Sequence, residues 1–307
     1  MWRPGAGRAG GYVAGVTTFT GPPGGGDAWS AQPRALIVTI YGLYAREAGG
    51  WLSVASLIRL MAELGSDEPA VRSSISRLKQ RGVLESRREE GTAGYALSRR
   101  GQAMLAEGDQ RIFDRPRASL SDGWLLAVFS VPERERSRRH ALRSRLVWLG
   151  FGTVSAGVWI APGHLASETA EVLEHYQLAG YVDLFRADYL AFGDVAEQVA
   201  HWWDLGRLQG LYQAFLDDAE PVLARWDSAR AARAGLAGEA FASYTRALTA
   251  WRRLPFLDPG LPAELLPGGW NGLQAAAAFG ALRERLAGPA RAHALAVIGR
   301  PGQGMTA

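Results

Sequence analysis

The chain has 307 residues, of which 48% are hydrophobic and 21% charged, with a formal net charge of +4, enough for two or three domains with real cores. It has no cysteine, which excludes disulfides, zinc–thiolate sites and thiol nucleophiles. No apolar run reaches the length of a membrane span, and the first stretch lacks a signal peptide's apolar core; a cytoplasmic protein without membrane association is expected.

Residues 1–32 are rich in Gly, with Pro22-Pro23 and Gly24-Gly25-Gly26, and have no sustained period. Such a segment is expected to be a disordered tail. From Pro33 to Arg117 the sequence holds 14 Lys and Arg against 10 Asp and Glu, the whole of the net charge. A basic N-terminal third on a balanced body fits a nucleic-acid-binding module joined to a regulatory one.

Pro33 opens a predicted helix with Leu36, Ile40 and Leu43 on one face, ended by Gly49-Gly50. Trp51-Leu52 reads as a short strand. Ser53 caps a second helix whose stripe is Val54, Leu57, Ile58, Met61 and Leu64. Gly65 ends it, Ser66 or Asp67 caps a third, and Pro69 suits the first turn. In that third helix Val71, Ile75 and Leu78 recur at i, i+4 and i+7 and face a core. Arg72, Ser73, Ser76 and Gln80 point the other way, flanked by Arg77 and Lys79. Hydroxyls, an amide and cations suit base edges and phosphates in a DNA major groove. A solvated amphipathic helix is the bland alternative, but such helices normally alternate Glu and Asp with Arg. Asp67 and Glu68 suit the helix dipole yet stand where they would repel phosphates.

Val83 to Arg88, a turn through Gly91 to Gly94, and Tyr95-Ala96-Leu97 predict a β-hairpin. Helix, strand, helix, helix, hairpin is the winged-helix order, with the third helix in the major groove and the hairpin along the backbone. Arg87 and Arg88 are then candidate phosphate contacts, or the charges that keep an edge strand soluble. Ser98 caps a helix from Arg99 to about Phe113.

Trp124 to Val131 is a buried-strand candidate ended by Pro132. A charged helix over Glu133–Leu149 carries Leu142, Leu146 and Leu149 inward, and a strand pair over Thr153–Ala161 breaks near Gly157. A helix over Ser167–Ala179 and a strand over Tyr181–Arg186 complete βαββαβ, the order of a ferredoxin-like sandwich. Glu197 onward is mainly helical, with a proline-punctuated connection from Leu254 to Trp270 and a last helix from Asn271. The fold class is therefore α+β. Its expected segments are 1–32 (tail), 33–117 (winged helix), 118–193 (ferredoxin-like) and 194–307 (helical, regulatory).

Ala70 to Leu78 with Arg81-Gly82-Val83-Leu84, and Tyr95 to Ser98 with Gly101, Gly108 and Arg111-Ile112, resemble the PaaX family of transcriptional repressors. Trp124–Val131, Trp203-Asp204-Leu205 and the Leu254–Trp270 segment are similar to later parts of the same family. The resemblance runs from Pro33 to Val297. It implies a bacterial regulator of aromatic-acid catabolism that acts as a homodimer on double-stranded operator DNA and is released by phenylacetyl-CoA or a related acyl-CoA thioester. Two recognition helices on a two-fold axis imply a palindromic operator. The family's middle domain is also similar to the nuclease subunit of CRISPR adaptation systems, which holds a metal with an aspartate ending its first strand. Ser130 stands there, a poor magnesium ligand, and the domain is expected to serve dimerisation and transmission.

An acyl-CoA effector needs cations for its phosphates and an apolar slot for its acyl group. Arg186, Arg207 and Arg252 are candidates for the first, Trp202, Trp251 and Trp270 for the second, although tryptophans at helical spacing more often belong to a core. No GxSxG, HExxH or P-loop pattern occurs, and Gly5–Gly10 fits GxGxxG by letters with no strand before it. The five histidines are dispersed. No catalytic residue, metal site or cofactor is expected; the alternative is a metal-dependent nuclease or thioester hydrolase built from the central and C-terminal segments.

Overall fold

The computed structural model describes residues 32–114, 116–190, 193–228 and 236–299. The expected N-terminal tail, apart from Gln32, and the chain end beyond Gly299 lie outside the described residues. The fold is α+β, in two compact units: one comprises residues 118–203, the other the segments before and after it.

The second unit begins with α1 (Pro33–Ile40), continued by a π-helical turn over Tyr41–Ala45. The wider turn shifts the helical phase, so Tyr41 and Tyr44 are buried and Leu43, expected inward, is only half-buried. Strand β1 (Trp51–Ser53) leads into α2 (Val54–Glu63), whose cap Ser53 accepts the Ser56 N–H at 3.0 Å. On α2 the buried side chains are Ser56, Leu57, Leu60 and Met61, while Val54 and Ile58, expected in the stripe, are half-buried. The reason is a second neighbour: the carbonyl of Val297, in the C-terminal helix, accepts from Ser56 Oγ and rotates the covered arc toward it. Gly65, at φ +73°, closes α2 in a Schellman motif, Ser66 N–H to Met61 O and Gly65 N–H to Ala62 O.

Helix α3 (Glu68–Gln80) follows, then β2 (Leu84–Glu89), β3 (Thr92–Leu97) and α4 (Arg99–Phe113), capped by Ser98. The strands form an antiparallel sheet in the order β1-β3-β2. The hairpin turn is tighter than predicted, only Glu90-Gly91, both with positive φ, as two-residue hairpins of the favoured twist require. Gly94, expected in the turn, lies inside β3.

The rest of this unit is helical: α8 (Leu205–Ser228), α9 (Ala237–Trp251), the single turn α10 (Leu254–Leu257) and α11 (Asn271–Ile298). Phe241, Tyr244 and Leu248 on α9 and Leu282 and Leu286 on α11 are buried. The N- and C-terminal segments share this core. Tyr44 and Thr245 hydroxyls lie 3.2 Å apart, and Thr249 Oγ1 lies 2.7 Å from Thr39 Oγ1.

The first unit is a four-stranded antiparallel sheet of β4 (Trp124–Phe129), β5 (Gly152–Ser155), β6 (Val158–Pro162) and β7 (Val182–Ala187), ordered β5-β6-β4-β7. With α5 (Arg136–Leu149) and α6 (Ala166–His175) between strands, this is the predicted βαββαβ order. Leu125, Ala127 and Phe129 face Leu142, Leu146 and Leu149 in one core. On the opposite sheet face Trp124 packs against Trp202 and Trp203 at the end of α7 (Val195–Trp202).

Candidate nucleic-acid interface

Helix α3 is fixed from within by Val71, Ser74, Ile75 and Leu78, all buried. The first turn settles the tension over Asp67 and Glu68. Asp67 is the cap, its carboxylate accepting the Ala70 N–H at 2.8 Å; Glu68 turns along the helix and pairs with Arg72 at 2.6 Å. Both acids are spent on the helix itself, an N-cap and an i,i+4 pair in the favourable order.

Arg72, Ser73, Ser76, Arg77, Lys79 and Gln80 are all exposed. Among the described residues Ser73, Ser76, Arg77 and Gln80 make no side-chain hydrogen bond or ion pair. Lys79 reaches over the Tyr95 ring, 5.8 Å from its centroid. Below it, the Tyr41 hydroxyl donates to the Tyr95 carbonyl at 2.8 Å. Burial, with Tyr95 nearby, holds the Tyr41 phenol well above its ordinary range, so it stays a neutral donor. The face thus joins unengaged short polar groups to cations anchored at the edge.

The wing carries Arg87 and Arg88 on β2. Arg87 pairs with Glu89 at 2.6 Å, and Arg88 donates to the Gly91 carbonyl at 3.2 Å. Both are exposed. As successive residues of a strand they serve opposite sides of the hairpin. What positions the wing was not legible in sequence. Trp51 lies across β3, its indole N–H donating to the Arg87 carbonyl at 3.2 Å, and Gly94 leaves it room: a Cβ there would come within 2.4 Å of the Leu52 carbonyl and of the Trp51 ring. The one available signal is a Gly interrupting a strand pattern, which marks close approach of another group.

The six candidate effector residues divide between the units. Arg186 is exposed on β7, and Trp202 is half-buried edge-on against Trp124 and Tyr189, both in the sheet unit. The other four belong to the helical unit. Trp251 and Trp270 are buried on either side of Tyr212, and Trp251 also stacks on Phe279 at 4.9 Å. Arg252 is pushed down to about 10 by burial and by Arg253; burial and Arg207 lower Arg253 in turn. The Nε of Arg252 and the indole N–H of Trp270 are buried without an acceptor among the described residues. Tyr212 donates to Asp258 at 2.7 Å, and Asp258 pairs with Arg117 at 3.3 Å.

Ser130 follows β4 and is exposed. Among the described residues no three His, Asp or Glu side chains gather as a metal-holding group, and no helix is long and apolar enough to cross a membrane.

Three family models match successive parts of the chain: "PaaX-like protein" over residues 32–101, "PaaX protein central Cas2-like domain" over 117–199, and "PaaX-like protein C-terminal domain" over 203–296. The chain is 26% identical over 241 residues to the transcriptional repressor PaaX of Escherichia coli K12, covering 78% of this chain and 75% of that one. Among solved structures it is similar to the uncharacterized protein Rv0674 of Mycobacterium tuberculosis. That match has 26% identity and a TM-score of 0.49, over 81% of this chain and 98% of the other.

Proposed function

The chain belongs to the PaaX family, its three family models following one another along most of its length, and we propose on that premise that it is a DNA-binding transcriptional repressor. The observation that carries the proposal is the outward face of α3: Ser73, Ser76, Arg77 and Gln80 exposed and unengaged beside Lys79, on a helix whose own acids are already paired. In this reading residues 33–117 are a winged helix. The α3 side chains meet base edges and Arg72, Lys79, Arg87 and Arg88 meet phosphates.

The protein works in the cytoplasm as a homodimer on a palindromic operator, with half-sites about one or two helical turns apart. Residues 118–193 pair the copies. Exposed Val128 and Phe185, 37% and 51% accessible on the sheet face away from the helices, support that role. The effector is an aryl- or acyl-CoA thioester of an aromatic-acid pathway such as phenylacetyl-CoA, received by residues 194–307. Buried donors without acceptors on Arg252 and Trp270, and the run of cations through Arg207 and Arg253, support a ligand there. Release requires that the thioester bind the DNA-incompetent dimer geometry more tightly than the competent one.

The test is footprinting on DNA flanking the protein's own gene. Protection that phenylacetyl-CoA removes and free phenylacetate does not is the expected result; no protection at any DNA rules the proposal out. The rival reading, a nuclease or thioester hydrolase, has less support, since Ser130 stands where metal chemistry needs a carboxylate. Multiple turnovers of RNA, DNA or acyl-CoA, abolished by substituting a nearby acid, would reverse that preference.

A further inference from the structure

One cluster of charge lies outside every role assigned so far. Helix α1 packs against α3, and at its second residue stands Arg34, half-buried. Arg77 and Arg81, one turn apart at the end of α3, are exposed next to it. Among the described residues none of the three has a carboxylate partner. They act on one another instead: after burial, repulsion from Arg81 and then Arg77 holds the Arg34 guanidinium below its ordinary range. The local helix adds to the conflict. The first turn of α1 contains no acid, and Arg34 sits at the positive end of that helix's dipole, where a cation is disfavoured. Arg77 and Arg81, at the negative end of theirs, are well placed.

Three uncompensated guanidinium groups converge at a cost to the free protein, and an anion removes that cost. We infer that Arg34, Arg77 and Arg81 form one phosphate clamp, gripping a DNA backbone segment beside the groove that α3 enters. The inference rests on the DNA-binding reading above and extends it to a residue of α1. Arg77 connects the clamp to Ser76 and Gln80 on the outer face of α3, so one strand can run from the base-reading surface onto the clamp. Guanidinium groups suit phosphate by paired N–H donors. A phosphate contact carries no sequence information, so the clamp adds affinity equally on every duplex.

The experiment measures binding by fluorescence anisotropy to an operator fragment and an unrelated duplex across a salt series, with thermal unfolding of the free protein at low salt. Arg34→Gln should weaken both complexes by a similar factor, about three- to tenfold, and reduce the salt slope by about 0.9, the share of one phosphate contact. Its unfolding midpoint should stay level or rise. Arg34→Lys, which keeps the charge, should recover most of the affinity. Unchanged affinity and slope in Arg34→Gln overturns the clamp. So does weakening confined to the operator, or a lowered midpoint that Arg34→Lys shares. If the wild type binds no duplex, the DNA reading itself fails, and heparin then tests the cluster. Heparin raising the midpoint of the wild type but not of Arg34→Gln retains an anion site; equal response in both removes it.

Discussion

The fate of single charges decides how α3 can meet a duplex. Glu68 neutralises Arg72 at 2.6 Å, so a phosphate must compete with a carboxylate for that guanidinium. Glu68→Gln should therefore tighten duplex binding severalfold at low salt while weakening the start of the helix by about 0.3–1 kcal/mol through the lost dipole interaction. Anisotropy and urea unfolding read the two effects separately. Asp67→Ala removes the cap instead and should cost about 1 kcal/mol of stability. The need for a cap and the apolar spacing were visible in the sequence. The choice of Asp67 over Ser66, and the division of labour between the two acids, needed the backbone path. Arg252 is the opposite case, a cation pushed down to about 10 by burial. Arg252→Met should leave stability equal or higher, since an apolar side chain of similar volume avoids the desolvation cost, and should abolish thioester release of DNA. Release unchanged in that variant would take Arg252 out of the effector site.

At the scale of elements, the wing shows how little of a hairpin's geometry its sequence states. Spacing and propensity placed the strands correctly, but the pair Gly91 and Gly94 suggested a four-residue turn. Only Gly91 serves the turn; Gly94 serves Trp51. Gly94→Ala should push the indole off the Arg87 carbonyl, shift the wing and lower DNA affinity on all sequences alike, measurable against Arg87→Ala as a reference. Affinity equal to wild type would mean that the wing does not need Trp51. Glu90 adopts φ +47°, where Asn is better tolerated than Glu. Glu90→Asn should raise the unfolding midpoint modestly and leave affinity unchanged or slightly higher. The π-helical turn after α1 was illegible for a different reason. Nothing in Tyr41–Ala45 breaks a 3.6-residue period, and the shift that buries Tyr44 instead of Leu43 is imposed by α9, some two hundred residues away in sequence.

At the scale of the whole molecule, the separation of a DNA-binding third from a regulatory remainder is visible in charge, but the packing is not. Thr39 and Thr249, Tyr44 and Thr245, and Arg252 with the Ala35 carbonyl tie α1 to α9 inside one core. A ligand that moves α9 acts on α1, which packs on α3, without an intervening linker. The sequence carried no sign of this, because each partner taken alone reads as an ordinary core residue. The central claim, however, concerns the outer face of α3. It is tested most directly by replacing Ser73, Ser76 and Gln80 together with alanine and measuring affinity for operator and unrelated duplex side by side. The account predicts that the variant still binds both in a salt-dependent way but no longer prefers the operator. A folded variant that keeps the wild-type preference would show that sequence is read elsewhere.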